Sequence, residues 1–503
     1  FYFRSELQMT SDEGLDAYGA ATWGQFFLYQ GFNAHAGWMH TSTGVDNVDE
    51  FGETIVREGA RLSCRYGAEE RPVTTRTTTI RYRAPDGSMR ARDFTVYATH
   101  HGPIVRAAGD RWIAVAMLNS PIAELEQSWL RTKAVDYAGF IKVAELRANS
   151  SNDTLFADDK GEIAFLMLQF VPRRDDRFDY RSVVDGADPA TDWKGLHTLD
   201  ELPRAVNPPS GWAMNTNDAP WTAAGASSPR QSDFPRYMDT FGQNYRGIHA
   251  IRLLAGRRDW TLERLRAAAF DPWLPAFDDL IPPLVAAWDN LGAADPLKAG
   301  LRAQIAVLRA WDHRWAADSV ATTLAVLWGD ELWDHRAEGG EGKKAFDAIR
   351  GRSPRDKLEA LRRVSDRLAT DFGDWRTPWG AVNRFQRLTD AVQAKFDDRA
   401  PSLPVPFTSG RWGSLASFAA RRYPGTDRYY GTSGNSFVAV VEFGPRVRAI
   451  AVTAGGESGH PGDPHFDDQA ERYASGNLRE VYFYPDQLAG HVERVYHPDV
   501  GRP

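Results

Sequence analysis

The chain of 503 residues exceeds what one simple core holds, so one elaborate domain or two to three domains is expected. It is 42% hydrophobic and 25% charged, the balance of a folded globular protein, with a formal net charge of −7. That charge gives no electrostatic basis for nucleic-acid binding, no Lys/Arg tract points to an anionic membrane, and no apolar run reaches the ~18 residues of a bilayer span.

In chain order, Phe1, Phe3, Leu7 and Met9 alternate with more polar residues, as in a strand already under way. The chain begins without Met, and residues upstream are expected to precede this numbering. Residues 1 to about 120 read as β-rich. RTTTIRYRAPDGSMRARDFTVYATH holds two β-branched and aromatic runs joined by the turn Pro85-Asp86-Gly87-Ser88, a hairpin signal. RWIAVAML (111–118) reads as a strand, YAGFIKVAELRA (137–148) as a helix, and LFADDKGEIAFLML (155–168) as a hairpin around Asp159-Lys160-Gly161.

From 246 to 400 the pattern becomes helical. Leu301, Ile305, Leu308 and Trp311 form one stripe; Leu358, Leu361, Val364 and Leu368 form another. Ser353-Pro354 reads as an N-cap followed by proline at the first helical position. Asp271-Pro272 and Pro282-Pro283 are expected to break the segment. Strand signals return after Pro401, in 435–444, 447–456 and 479–485. The expected organisation is 1–245 as the first part of a core, 246–400 as a helical excursion and 401–503 as the return to that core.

Candidate chemistry is dispersed. In NPPSGWAMNTNDAPW (207–221), a short strand over Trp212–Met214 would deliver Asn215 and Asn217 to one side by period-two alternation. Paired amides can donate to an oxyanion; a turn stabilised by Asn and Asp side chains is the alternative. No G-x-S-x-G elbow, P-loop or H-E-x-x-H occurs. HPGDPHFDD (460–468) could ligate a transition metal through His460, His465 and Asp467, or be a rigid proline-bounded loop. The lone Cys64 excludes an internal disulfide and has no neighbouring His in RLSCRYG, so it reads as buried and inert. Seventeen Trp raise carbohydrate stacking, against a core role in helical stripes. Asp46, Asn47, Asp49 and Glu50 bring hard oxygens together, the ligand type calcium prefers, although EF-hand spacing is not met and a solvated acidic turn is the alternative.

Six segments, in order, resemble the β chain of the penicillin acylase family of N-terminal-nucleophile hydrolases, which includes acyl-homoserine-lactone acylases. They are GFNAHAGWMHTSTGVDNVD (31–49), HHGPIV (100–105), ELPRAVNPPSGWAMNTNDAPW (201–221), NYRGIHAIRLL (244–254), DSVATTLAVLW (318–328) and GGESGHPGDPHFDDQAERYASG (455–476). The resemblance implies an α+β, four-layer αββα sandwich with a large helical insertion, and hydrolysis of a linear amide of an N-acyl compound through an acyl-enzyme. It places half of an oxyanion hole at the Ser42 backbone N–H, the other half at the Asn217 side chain, and Arg246 beside them. It implies Gln30, Trp38 and His40 near the substrate, and calcium at Asp46, Asp49 and the Val48 carbonyl. Met39-His40-Thr41 favours an aliphatic or otherwise non-phenylacetyl acyl group. The nucleophile, usually Ser, would lie just upstream of Phe1, since Phe1 cannot do that chemistry. An α chain from the same precursor and a periplasmic or secreted location follow from the resemblance alone. A metal-dependent hydrolase and a non-catalytic ligand-binding protein on the same fold are the competing expectations.

Overall fold

The computed structural model describes residues 4–150, 152–335 and 343–497. Its central element is a seven-stranded antiparallel sheet in the order Arg4–Ser11, Leu15–Thr22, Gln30–Asn33, Ala36–Ser42, Asn152–Asp158, Ile163–Met167, Arg204–Val206. The leading strand is described from Arg4 onward; Phe1 and Phe3 lie outside the described residues.

The two faces of this sheet dictate the layering. On one, Leu15, Ala17, Trp38 and Phe156 pack with Phe140 and Ala144 of the helix Tyr137–Ala144. On the other, Tyr18 and Phe32 meet Val447, Ala449, Ala451 and Phe483, which belong to or adjoin a three-stranded sheet of Phe437–Glu442, Arg448–Thr453 and Arg479–Glu480. Behind that second sheet, Val440 and Val452 pack against Leu262 and Ala470, Tyr473 and Ala474 of two further helices. Helix, sheet, sheet, helix is the layer order, with apolar residues on alternate strand positions sealing each interface.

A six-stranded sheet extends to one side: Val184–Asp185, Asp49–Glu53, Arg111–Ala116, Gly102–Ala108, Met89–Thr99, Thr74–Arg83. The hairpin expected at Pro85–Ser88 closes its last two strands, with Asp86 Oδ1 accepting from Ser88 N at 2.9 Å. The hairpin around Asp159–Gly161 likewise joins Asn152–Asp158 to Ile163–Met167.

Tyr245 and the helices from Ala276 to Val382 share one core that includes Leu301, Ile305, Leu308, Leu358, Leu361, Val364 and Leu368. Ser353 caps Pro354–Phe372 by accepting from Asp356 N, and Gly373 ends it at φ +84. Trp328, Trp379 and Trp412 are buried in this core, so the tryptophans there are packing residues. Pro282 and Pro283 correct the expectation of a break: they lie inside the helix Ala276–Asp289. Both face solvent while Leu280, Ile281 and Leu284 are buried, so water can satisfy the carbonyls left unbonded and packing holds the helix together. The expected strand over 479–485 shortens to Arg479–Glu480. Among the described residues no helix is long and apolar enough to cross a membrane.

The sheet that carries the site depends on close backbone approach at Gly19 and Gly31, which are register partners. A Cβ on Gly19 would stand 2.1 Å from the Gln30 carbonyl oxygen. Gly19→Val is expected to lower stability by roughly 1–3 kcal/mol in denaturant unfolding. Gly292→Ala, whose Cβ would meet nothing within 4 Å, should leave the midpoint unchanged.

Candidate active site

Ser42 is the last residue of Ala36–Ser42 and pairs with Asn152. The strand ends there because Thr43 and Gly44 turn toward 237–241: Gly44 N donates to Asp239 Oδ2 at 3.3 Å, and Thr240 N to the Gly44 carbonyl at 2.7 Å. Across from Ser42 stands Asn217. Its carboxamide Nδ2 donates to the Ser42 carbonyl oxygen at 3.1 Å.

Asn217 is not delivered by strand alternation as expected. Residues 207–217 form no strand, and Asn217 has φ +60. The left-handed region is open to Asn because its short side chain bonds locally. Asn215 Oδ1 accepts from Asn217 N at 2.8 Å, Asn215 Nδ2 donates to the Asp218 carbonyl at 3.1 Å, and Thr216 N donates to Asp218 Oδ1 at 3.1 Å. The tight turn and the aimed amide are therefore one object.

A second element locks it. Asn244, the N-cap of the helix Tyr245–Leu254, donates from Nδ2 to the carbonyls of Thr216 (2.9 Å) and Asn217 (3.2 Å) while its Oδ1 accepts from Gly247 N. Arg246, in the first turn, donates from Nη2 to Asn217 Oδ1 at 2.9 Å. That bond commits the amide oxygen and leaves Nδ2 to face Ser42. Arg246 passes over Gly410, where a Cβ would stand 2.8 Å from its Cδ. Burial pulls the guanidinium below its usual value, with the Asp218 carboxylate opposing. Ser42, Asn217 and Arg246 thus converge.

The residues expected near the substrate occupy the strands just before Ser42. His40 is buried, its Nδ1 3.0 Å from Thr154 Oγ1 and its ring 5.2 Å from Tyr29, with Nε2 lacking a partner. Burial, then the Arg131 and Arg4 charges, hold it well below the usual imidazole value, so it is neutral. Trp38 is core, donating from Nε1 to the Tyr29 carbonyl at 3.2 Å. Gln30, beside Arg4, lines with Trp38, Met39, Leu155, Trp212 and Phe443 a cavity of about 560 Å³. A second cavity, of about 1110 Å³, lies at Asp330, Arg367 and Arg421 and touches none of these residues.

Beneath Ser42 sit three buried carboxyls. Asp153 is fully buried; its Oδ2 accepts from Asn215 at 3.2 Å and its Oδ1 has no partner. Burial, with the Asp239 and Asp218 carboxyls adding, pushes its pKa well above the usual value. Burial likewise pushes Asp239 up to about 7.

The acidic segment does not fit calcium. The Arg174 guanidinium, fully buried, donates to Asp49 Oδ1 and to the Asp46 carbonyl, and stacks 4.6 Å from Tyr180 and 4.3 Å from Tyr237. Trp193 donates to the other Asp49 oxygen, Asn47 Nδ2 to the Phe170 carbonyl at 3.2 Å, and Glu50 pairs with Arg106. Burial pushes Asp46 up to about 6. The charge a cation would supply is already supplied by the chain, from a residue distant in sequence. His465 is held up to about 9 by the Asp468 and Glu493 carboxylates. Among the described residues, His460, His465 and Asp467 form no three-ligand group. Burial pushes the Cys64 thiol up to about 11, away from a nucleophilic thiolate near neutrality.

Residues 1–490 match the Penicillin amidase family along almost the entire chain. The chain belongs to the penicillin amidase family. It is 24% identical to the acyl-homoserine lactone acylase PvdQ of Pseudomonas putida over 97% of this chain and 65% of that protein. It is 26% identical to the penicillin G acylase of Escherichia coli over 59% of this chain and 34% of that protein. The thermostable penicillin G acylase of Alcaligenes faecalis superposes with a TM-score of 0.69 at 17% identity, covering 100% of this chain and 95% of that one. The fold is therefore that of the penicillin amidase family, as the sequence resemblance implied. The chain spans about 65% of the length of the PvdQ relatives it matches.

Two outcomes test the electrostatics. Added calcium should leave Tm unchanged, whereas Arg174→Met should cost about 3–5 kcal/mol in denaturant unfolding by stranding Asp49. For Asp153, a raised folded pKa gives stability that is present below the ordinary carboxylate value of about 4 and lost as pH rises toward the folded value. Asp153→Asn should therefore gain Tm on the parent as pH rises above about 4; a pH-independent difference contradicts a buried neutral carboxyl.

Proposed function

We propose that this chain carries the catalytic machinery of an acylase that hydrolyses the amide bond of an N-acyl compound. The observation that carries the reading is the Asn217 carboxamide, aimed at Ser42 and held by Arg246. A neutral donor fixed by a left-handed backbone and three supporting side chains is preorganised for a charge that develops only during reaction.

In this reading the nucleophile is an N-terminal serine just upstream of Phe1. Its hydroxyl oxygen attacks the substrate carbonyl carbon while its own α-amine, with an ordinary pKa of about 7.7–8.0, takes the hydroxyl proton. The tetrahedral oxyanion accepts from the Ser42 backbone N–H and from Asn217 Nδ2. Collapse breaks the C–N bond, and the ammonium returns its proton to the departing amine. Water then attacks the acyl-enzyme by the same route, releasing the acid and regenerating the serine.

The acyl group we assign is aliphatic or otherwise non-phenylacetyl. Support comes from Met39-His40-Thr41 on the strand that leads to Ser42; the apolar cavity beside it is lined by aliphatic and aromatic side chains alike, Met39 and Leu155 with Trp38, Trp212 and Phe443. The PvdQ relatives are named acyl-homoserine lactone acylases, which makes acyl-homoserine lactones the first substrate class to try. An α chain completing the protein, and a periplasmic or secreted location, belong to the same proposal.

Asn217→Ala should lower kcat by roughly 10²–10³-fold on an N-acyl substrate, at a folding cost of only about 1–2 kcal/mol for Ala in the left-handed region. Full activity in that variant would overturn the assignment. A chain-length series of N-acyl-homoserine lactones beside a phenylacetyl amide should show higher kcat/KM for the aliphatic members; preference for phenylacetyl would contradict the pocket reading.

A further inference from the structure

The ribbon of Thr74–Arg83 and Met89–Thr99 finds no use in the acylase site. Thr74–Arg83 is the last strand of its sheet, and Met89–Thr99 meets a third strand only at Ala98 and Thr99. From there to the turn the two strands have only each other, and from 74 to 95 all residues but Thr78 and Ala84 are exposed. Along the chain the charge of this segment is mixed, five arginines with two aspartates over residues 74–99. The pairing register sorts it. Arg76 and Val96, Thr78 and Phe94, Ile80 and Arg92, and Tyr82 and Arg90 are partners, and alternation puts all eight on one face. Asp93, the partner of Thr79, goes to the other face with Tyr97, whose ring stands 4.9 Å from Trp112. Asp86 in the turn pairs with Arg90 at 2.8 Å. Arg76 and Arg92 have no ion pair among the described residues, and Arg92 lies 4.9 Å from the Phe94 ring centroid. Between these arginines Ile80 is 51% exposed, Tyr82 45% and Phe94 38%.

A two-stranded hairpin is marginal alone in water, so large apolar side chains left open on one call for a reason. Guanidiniums set among an isoleucine, a tyrosine and a phenylalanine match a surface that is negative outside and apolar just beneath. We propose that this face of the ribbon is a docking surface for an anionic phospholipid bilayer, with Arg76, Arg90 and Arg92 on headgroup phosphates and Ile80, Tyr82 and Phe94 in the interfacial layer. Other occupants fit less well. A second copy adding strand to strand at the open edge would set a strand with three arginines and no carboxylate beside its own copy, like charge against like. A nucleic acid calls for a groove lined by stacking rings, whereas this face is open and Ile80 and Val96 offer no ring.

The acidic balance of the whole chain does not forbid this. At ~3.4 Å per residue, Arg92 and Arg90 stand about 20 and 27 Å along the ribbon from Ala98, beyond the Debye length of about 8 Å in physiological salt. The outer half of the ribbon therefore presents its own charge, screened from the −7 of the chain. A few arginines with a few interfacial side chains give reversible attachment that weakens with salt, short of insertion. The attachment rests on the ribbon alone and does not depend on the acylase reading.

The test sediments the intact native protein with vesicles of phosphatidylglycerol and phosphatidylcholine in equal parts, and with vesicles of phosphatidylcholine alone. Binding is expected to the anionic vesicles only, and is expected to fall as salt is raised. The double variant Arg76→Glu with Arg92→Glu breaks no ion pair, so it should melt with the parent while its partition to anionic vesicles falls by at least about 10-fold. Ile80→Ser with Tyr82→Ser should weaken binding by about 5-fold, which a contact made by charge alone would not show. No binding to anionic vesicles, equal binding to the two vesicle types, or unchanged binding by either double variant would each overturn the proposal. Retention on a single-stranded oligonucleotide with none on vesicles would overturn it as well and assign the face to nucleic acid.

Discussion

Everything near the candidate active site answers to one contact, the hydrogen bond from the Asn217 carboxamide to the Ser42 carbonyl, which joins residues 175 apart in sequence. Neither partner can be placed by local preference alone. Ser42 is positioned by a strand in the middle of a seven-stranded sheet, and Asn217 by a turn whose backbone is in the left-handed region. Asn215 sets that turn from within, Asn244 holds it from the start of a helix, and Arg246 decides which end of the amide faces Ser42. One helix N-terminus thus serves as both cap and clamp, and its attachment to the helical core transmits the rigidity of that core to the site.

Burial supplies the electrical character. Around Ser42 and Asn217 the carboxyls of Asp153 and Asp239 are pushed toward their neutral forms, and His40 is neutral as well. Negative charge is suppressed there while the Arg246 guanidinium remains, so a developing oxyanion would be met by fixed dipoles and a nearby cation in a medium that screens little. The acidic stretch after Ser42 follows the same logic in reverse. Where carboxylate remains at Asp49, the chain provides Arg174 between two tyrosine rings. A guanidinium delivers directed bonds to an oxygen pair and needs no loading from solution.

Local features were legible in the sequence because their causes are local. The Pro85–Ser88 hairpin, the Ser353 cap and the stripe at Leu358, Leu361, Val364 and Leu368 follow from turn chemistry and helical period. Trp212–Met214 read as a strand because alternation over three residues cannot distinguish a strand from an extended loop; the hydrogen bonds that decide it come from Asn215 and Asn244. Pro282 and Pro283 read as breakers because their tolerance depends on a core partner that the local sequence does not show. Arg174 was missed for a related reason. It lies 125 residues from Asp49, and nothing in VPRRDD says which arginine turns inward. Cys64 and His100, 36 residues apart, meet only once two sheets are assembled.

The most direct test is a crystal structure of the processed protein with a boronic acid or phosphonate analogue of the tetrahedral intermediate. The account predicts the analogue's oxygen at about 2.7–3.1 Å from both the Ser42 backbone nitrogen and Asn217 Nδ2, with Arg246 still on Asn217 Oδ1. An analogue bound covalently whose oxygen points away from both donors would contradict it.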